Sequence, residues 1–255
     1  MALASPHPSF NRSTLVRCLS GLEVGDAGES KQSFAARLGT WFDLSDAISL
    51  SAALRPAAGA GSPAAAVSPG RSSVGEEFAR VRAALIESIG PDDVLMAGNA
   101  RIKFPLPATG TAIDGAADFS PYHRYYLAHQ REMEAGIGPL RARVRAALSG
   151  FSPALRQLAA LDAVLEEAFW ARERSLLGAV PLLLEKRFEH WRGTHLAFLA
   201  ETQATDAPER WIQPGGWLAG FCGDMQRVLR AELDLRLQPV AGLVEALGNE
   251  EKRHP

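Results

Sequence analysis

The stretch SPALRQLAALDAVLEEAFWARERSLLGAVPLLLEKRFEHWRGTHLAFL, Ser152–Leu199, decides the fold class. Leu155, Leu158, Leu161, Leu165, Phe169, Leu176, Val180, Leu183, Trp191 and Phe198 recur at steps of three, four, seven and eight residues. That spacing lines side chains along one side of an α-helix and does not fit a strand. Ser152 is placed to cap the first turn, and Pro153 suits the first helical position because its missing N–H would have no partner there. Unbroken, such a helix would be the longest in the chain, at roughly 70 Å for 1.5 Å per residue. Pro181 is expected to bend or divide it.

Reading outward, the same periodicity continues on both sides. Towards the N-terminus, a helix from Pro121 carries Tyr122, Tyr126, His129, Met133, Leu140, Val144 and Leu148. Gly136, Gly138 and Pro139 should kink it and Gly150 should end it. Towards the C-terminus, Pro214-Gly215-Gly216 opens a last helical region through Trp217, Phe221, Met225, Val228, Leu229, Leu233 and Leu237, with a kink at Pro239. The charged tail from Asn249 is expected to fray. Upstream, Val74, Phe78, Val81, Leu85 and Ile89 mark another helix, and Gly98–Ser120, with RIKFPLP inside it, reads as irregular. Two further helices are expected, at Ser13–Leu22 and from Ser30 to just before Pro56. The second has Phe34, Leu38, Trp41, Phe42, Ile48 and Ala52 along one side.

No segment alternates apolar and polar residues as a strand would. The expectation is an all-α protein whose long antiparallel helices form a bundle. It divides into a tethered N-terminal helical hairpin over residues 11–54, a flexible Ala/Gly/Ser/Pro linker over 55–73, and the main bundle over 74–248.

Composition narrows the function classes. Ala and Leu supply most of the apolar count, which favours helix. The 27 basic and 29 acidic residues leave a formal charge of −2. Arg141 and Arg143 diverge by roughly 200° on a helix, so the densest basic run is no nucleic-acid patch, and no nucleic-acid partner is expected. Cys18 and Cys222 each sit among apolar residues and read as reduced core side chains, with a long-range disulfide as the alternative. The N-terminal ten residues lack a hydrophobic signal core, and no apolar run reaches the roughly 20 residues that span a bilayer. A cytoplasmic protein with no direct membrane span is the expectation.

Catalytic signatures are missing. The chain lacks the paired Glu-x-x-His of di-iron bundles, HExxH, paired CxxC, GxxxxGK[ST], GxGxxG and GxSxG. No catalytic residue, cofactor or metal is therefore assigned. His190 and His195, in EHWRGTH, diverge by roughly 140° on a helix and share a metal only if Gly193 breaks it.

Two groups of residues are interaction or ligand candidates. Tyr122, His123, Tyr125, Tyr126 and His129 form a polar cluster, either a hydrogen-bonding patch at a helix start or side chains straddling the core boundary with wet polar ends. In RIKFPLP, two prolines hold the chain extended, Phe104 and Leu106 offer apolar anchors, and Arg101 and Lys103 keep it soluble. It suits docking on another protein, or lying across its own helices. The five tryptophans, Trp41, Trp170, Trp191, Trp211 and Trp217, read as core anchors. Trp211 and Trp217 flank the Pro-Gly-Gly turn and would plug a bundle end or form an exposed contact patch.

These segments carry a resemblance. ESKQSFAARLGTWFDLSDAISLSAAL (Glu29–Leu54), DFSPYHRYYLAHQREMEAGIGPLRARVRAAL (Asp118–Leu148), LAALDAVLE (Leu158–Glu166), VPLLLEKRFEHWR (Val180–Arg192) and AELDLRLQPVAGLVEAL (Ala231–Leu247) are similar to an uncharacterised proteobacterial family, domain of unknown function 3348. The resemblance brings no catalytic residues with it. It implies a cytoplasmic accessory to an envelope or inner-membrane complex. Three readings follow: a non-enzymatic adaptor or scaffold for another protein, soluble or membrane-embedded; an enzyme or small-ligand-binding bundle using the Tyr122–His129 region; or a helical homo-oligomer paired through the Phe34–Trp41–Ile48 stripe.

Overall fold

Helix is the regular structure throughout the described residues of the computed structural model, which are 13–22, 43–55, 71–90, 102–105 and 118–253. Seven α-helices occur among them: α1 Thr14–Ser20, α2 Leu44–Leu54, α3 Arg71–Ile89, α4 Ser120–Ser149, α5 Pro153–Gly178, α6 Val180–Thr202 and α7 Trp217–Arg253. A single 3-10 turn, Pro208–Arg210, precedes α7. The chain is all-α over these residues.

Local chemistry explains most of the boundaries. At α2 the Asp43 carboxyl accepts the Asp46 N–H at 2.8 Å, while Asp46 accepts the Asp43 N–H at 3.1 Å. This reciprocal box satisfies two amides that helix geometry leaves bare. Asp118 does the same work before α4, taking the amide and hydroxyl of Ser120 at 2.9 and 2.8 Å. These bonds to the charged carboxylate hold its pKa below the usual range. Ser152 caps α5 by accepting the Leu155 N–H at 3.2 Å, with Pro153 in the first turn. Gly215 has φ +85°, and a Cβ on Gly216 would lie 2.3 Å from the Arg210 carbonyl oxygen, so the turn into α7 needs both glycines.

The structure corrects several expectations. The Ser152–Leu199 stretch is divided, but at Ala179, two residues before Pro181. Proline at the start of a helix gives up an N–H with no acceptor, so the break falls where Pro181 is harmless. The longest helix is instead α7, with 37 residues, or about 55 Å. It runs through Pro239 and on past Asn249 to Arg253. α4 keeps its expected helical course across Pro139. α3 begins at Arg71, three residues inside the expected linker; residues 56–70 and 23–42 lie outside the described residues.

The chain forms two compact units. The first takes residues 1–27, 86–131 and 180–235, and the second residues 28–85, 132–179 and 236–255. α1 therefore groups with the first unit and α2 with the second.

In the first unit, parts of α4, α6 and α7 meet around rings. Phe188 of α6 packs on Phe221 and Trp217 of α7 at 5.1 and 5.4 Å between centroids, and on Tyr122 of α4 at 5.6 Å. α6 and α7 are antiparallel, since Phe188 meets Phe221 whereas His195 meets Trp217. α4 and α7 run parallel: Tyr122 meets Phe221 and, further along both helices, Gln130 meets Glu232. Antiparallel packing thus does not extend to this pair.

In the second unit, α3 and α4 are antiparallel. Gly136 faces Val81 and Leu85, and Arg143 reaches Glu77. α4 and α5, joined by a short turn, share an ionic cluster in which Arg141 binds Asp162 at 2.6 and 2.8 Å. Arg145 bonds Asp162 at 3.1 Å and also pairs with Glu166. Burial disfavours the Arg141 cation, but Asp162, Glu166 and Glu173 outweigh that and raise its pKa. α2 packs along α5, with the Gln157 side chain donating to the Leu54 carbonyl at 2.7 Å.

Candidate functional site

The polar cluster on α4 is drawn inward. Tyr122, Tyr125, Tyr126 and His129 are all buried, and His123 alone of the five is exposed. The Tyr126 hydroxyl donates to Glu232 at 2.6 Å, and the Gln130 amide donates to both Glu232 oxygens at 3.0 and 3.1 Å. Tyr125 stands edge-on to the His129 ring at 4.5 Å. Burial pushes the Tyr122 pKa well above the ordinary phenol value. Tyr126 is therefore hydrogen-bonded inside the first unit, Tyr122 and Tyr125 make ring contacts there, and His123 keeps an exposed position at the boundary. Glu232, fully buried, is the partner that periodicity alone could not supply.

Phe104 lies 6.1 Å from the Tyr122 ring and 5.3 Å from the Tyr125 ring, so this part of RIKFPLP packs on its own unit. Lys103 is exposed, while Arg101 and Leu106 lie outside the described residues.

Trp211 and Trp217, expected either to plug a bundle end or to form an exposed contact patch, are 2% and 5% exposed and sit 5.4 Å apart. The His195 ring stacks on Trp217 at 6.0 Å, and Asp206 accepts from Trp211 at 2.8 Å while meeting His195 at 2.9 Å. Both tryptophans are buried within the first unit and are not an exposed patch. Because α6 runs unbroken past Gly193, His190 and His195 stay apart, and no group of metal-ligating side chains occurs among the described residues. Trp191 is half-buried and donates to Asp224 at 2.9 Å. Trp170 contradicts the core-anchor reading: it is 57% exposed, with Arg174 stacked 5.1 Å from its ring. Trp41 lies outside the described residues.

Both cysteines are free. Cys222 is buried, and desolvation pushes its thiol pKa far up. Cys18 is only half-buried.

Several large apolar side chains are left uncovered. In the second unit Leu44, Ile48 and Leu54 of α2 and Trp170 and Leu176 of α5 are exposed, and α2 has no buried residue. Ile48 belongs to the apolar stripe expected along one side of its helix. In the first unit Leu182, Leu196 and Phe198 of α6 are also exposed. No helix of the described residues is long and apolar enough to cross a membrane.

The family model described as "Protein of unknown function (DUF3348)" matches residues 1–249. The chain belongs to that family. Neither a curated protein nor a solved structure matches it. Membership in DUF3348 assigns no chemistry, so the functional reading rests on the side chains themselves.

Proposed function

We propose that this DUF3348 protein is a non-enzymatic adaptor or scaffold of the cytoplasm, holding another protein, soluble or embedded in an inner-membrane or envelope complex, against α2. The observation that carries the reading is the state of α2. Leu44 and Ile48, one turn apart on one side of the helix, are 78% and 62% exposed. A single exposed leucine means little; the exposure of five large apolar side chains on two helices that pack together supports the reading. Covering Leu44 and Ile48 would contribute about 1.5–3 kcal/mol each. Tyr126 and Gln130 of α4, the Trp211–Asp206 pair and the Arg141–Asp162 cluster are meanwhile tied up within their own units.

Co-purification from native cells tests the proposal. Leu44→Asp with Ile48→Asp should lose a partner that the unaltered protein retains, while far-UV circular dichroism stays the same. Equal recovery with both proteins would refute it. A second reading, pairing of two copies through the same side chains, is favoured by the same exposure of Ile48. It predicts a concentration-dependent doubling of mass in light scattering that the double variant abolishes.

A further inference from the structure

The first unit contains a cleft of about 410 Å³ lined by Thr14, Arg17, Cys18, Gly21 and Leu22 of α1 and its turn, Arg187 of α6, and Asp224, Arg227 and Val228 of α7. Among its described lining residues, three arginines face one carboxyl. Asp224 is fully committed: one oxygen accepts from Arg187 at 2.7 Å and Trp191 at 2.9 Å, and the other takes Arg227. Arg187 is held in place by that bond, by its contact with the Leu22 carbonyl at 3.3 Å, and by stacking 5.2 Å from the Trp191 ring. Arg17 reaches only the Thr14 hydroxyl, at 3.4 Å, and has no carboxylate partner among the described residues. A guanidinium fixed in direction, as Arg187 is, suits the forked oxygens of a carboxylate or phosphate, and the exposed Arg17 and Arg227 add charge beside it. The volume is that of a small-molecule site rather than of a bare ion.

We propose that this cleft binds a small organic anion, a phosphate monoester or carboxylate, with its charged end among Arg17, Arg187 and Arg227 and its carbon skeleton along Leu22 and Val228. This site is separate from the α2 surface, and the proposal stands whether or not the adaptor reading does. Cys18 provides a local reporter, because it lines the cleft while Cys222 is buried.

The test is the rate of Cys18 alkylation in the full chain, at constant ionic strength, with inorganic phosphate, glycerol 3-phosphate or succinate titrated against chloride. Saturable protection is expected, about tenfold at a tenfold excess over Kd. Strongest protection by glycerol 3-phosphate identifies a phosphate monoester, and by succinate a carboxylate. Arg17→Ala, a change of an exposed side chain, should raise the concentration needed for half-protection at least about tenfold while leaving the ligand-free melting temperature in place, and Arg227→Ala should raise it likewise. Protection matched by chloride, no protection by any of the three, or unchanged half-protection in both variants would overturn the proposal.

Discussion

Glu232 shows how a single residue commits this chain's chemistry to structure. Its carboxyl is fully buried and accepts from Tyr126 and Gln130. Tyr126→Phe removes one donor without changing shape, so it should cost about 1–3 kcal/mol in urea unfolding. Cys222 carries a pH signature. Its folded pKa is raised by burial, whereas the unfolded thiol ionises near about 8.5. The folded state therefore keeps the proton that the unfolded chain releases, and stability falls as pH rises past about 8.5. Tyr122, shifted the same way, joins only above about pH 10. Cys222→Ala should flatten the decline between those two values in denaturation curves; an unchanged slope would assign it elsewhere. Such pairings were only partly legible in sequence. Arg141 and Arg145, four residues apart, meet Asp162 and Glu166, also four apart, and that matched spacing was a readable signal. Trp191 with Asp224 spans 33 residues and offers none.

Helices record the same division between local and distant information. The Ser152 cap, the stop at Gly150 and a break near Pro181 follow from backbone chemistry and were legible. The parallel course of α4 and α7 was not, because periodicity shows which side of a helix is apolar and not which helix covers it. Nor does it show that α2 leaves its apolar side open. Glycines inside helices separate the two kinds of constraint. A Cβ on Gly138 meets nothing within 4 Å, so Gly138→Ala should raise stability by up to about 1 kcal/mol through helix propensity. A Cβ on Gly220 would come 2.7 Å from the Trp191 ring, which also holds Asp224. Gly220→Ala should therefore destabilise by about 1–3 kcal/mol, as overpacking does. Thermal melts of the two variants moving in opposite directions would bear this out.

Among the described residues, the buried carboxylates Glu232, Asp162 and Asp224 pair internally, while large apolar side chains of α2 and α5 face outward. That contrast is the basis of the adaptor reading, in which Leu44 and Ile48 are contact residues. Site-specific photo-crosslinking in native cells tests it most directly, with the crosslinking side chain placed at 44 or 48 and, as control, at exposed Glu245 of α7. The account predicts a discrete adduct with one other protein from positions 44 and 48 and none from 245. No adduct at 44 and 48, or the same pattern from all three positions, would contradict it.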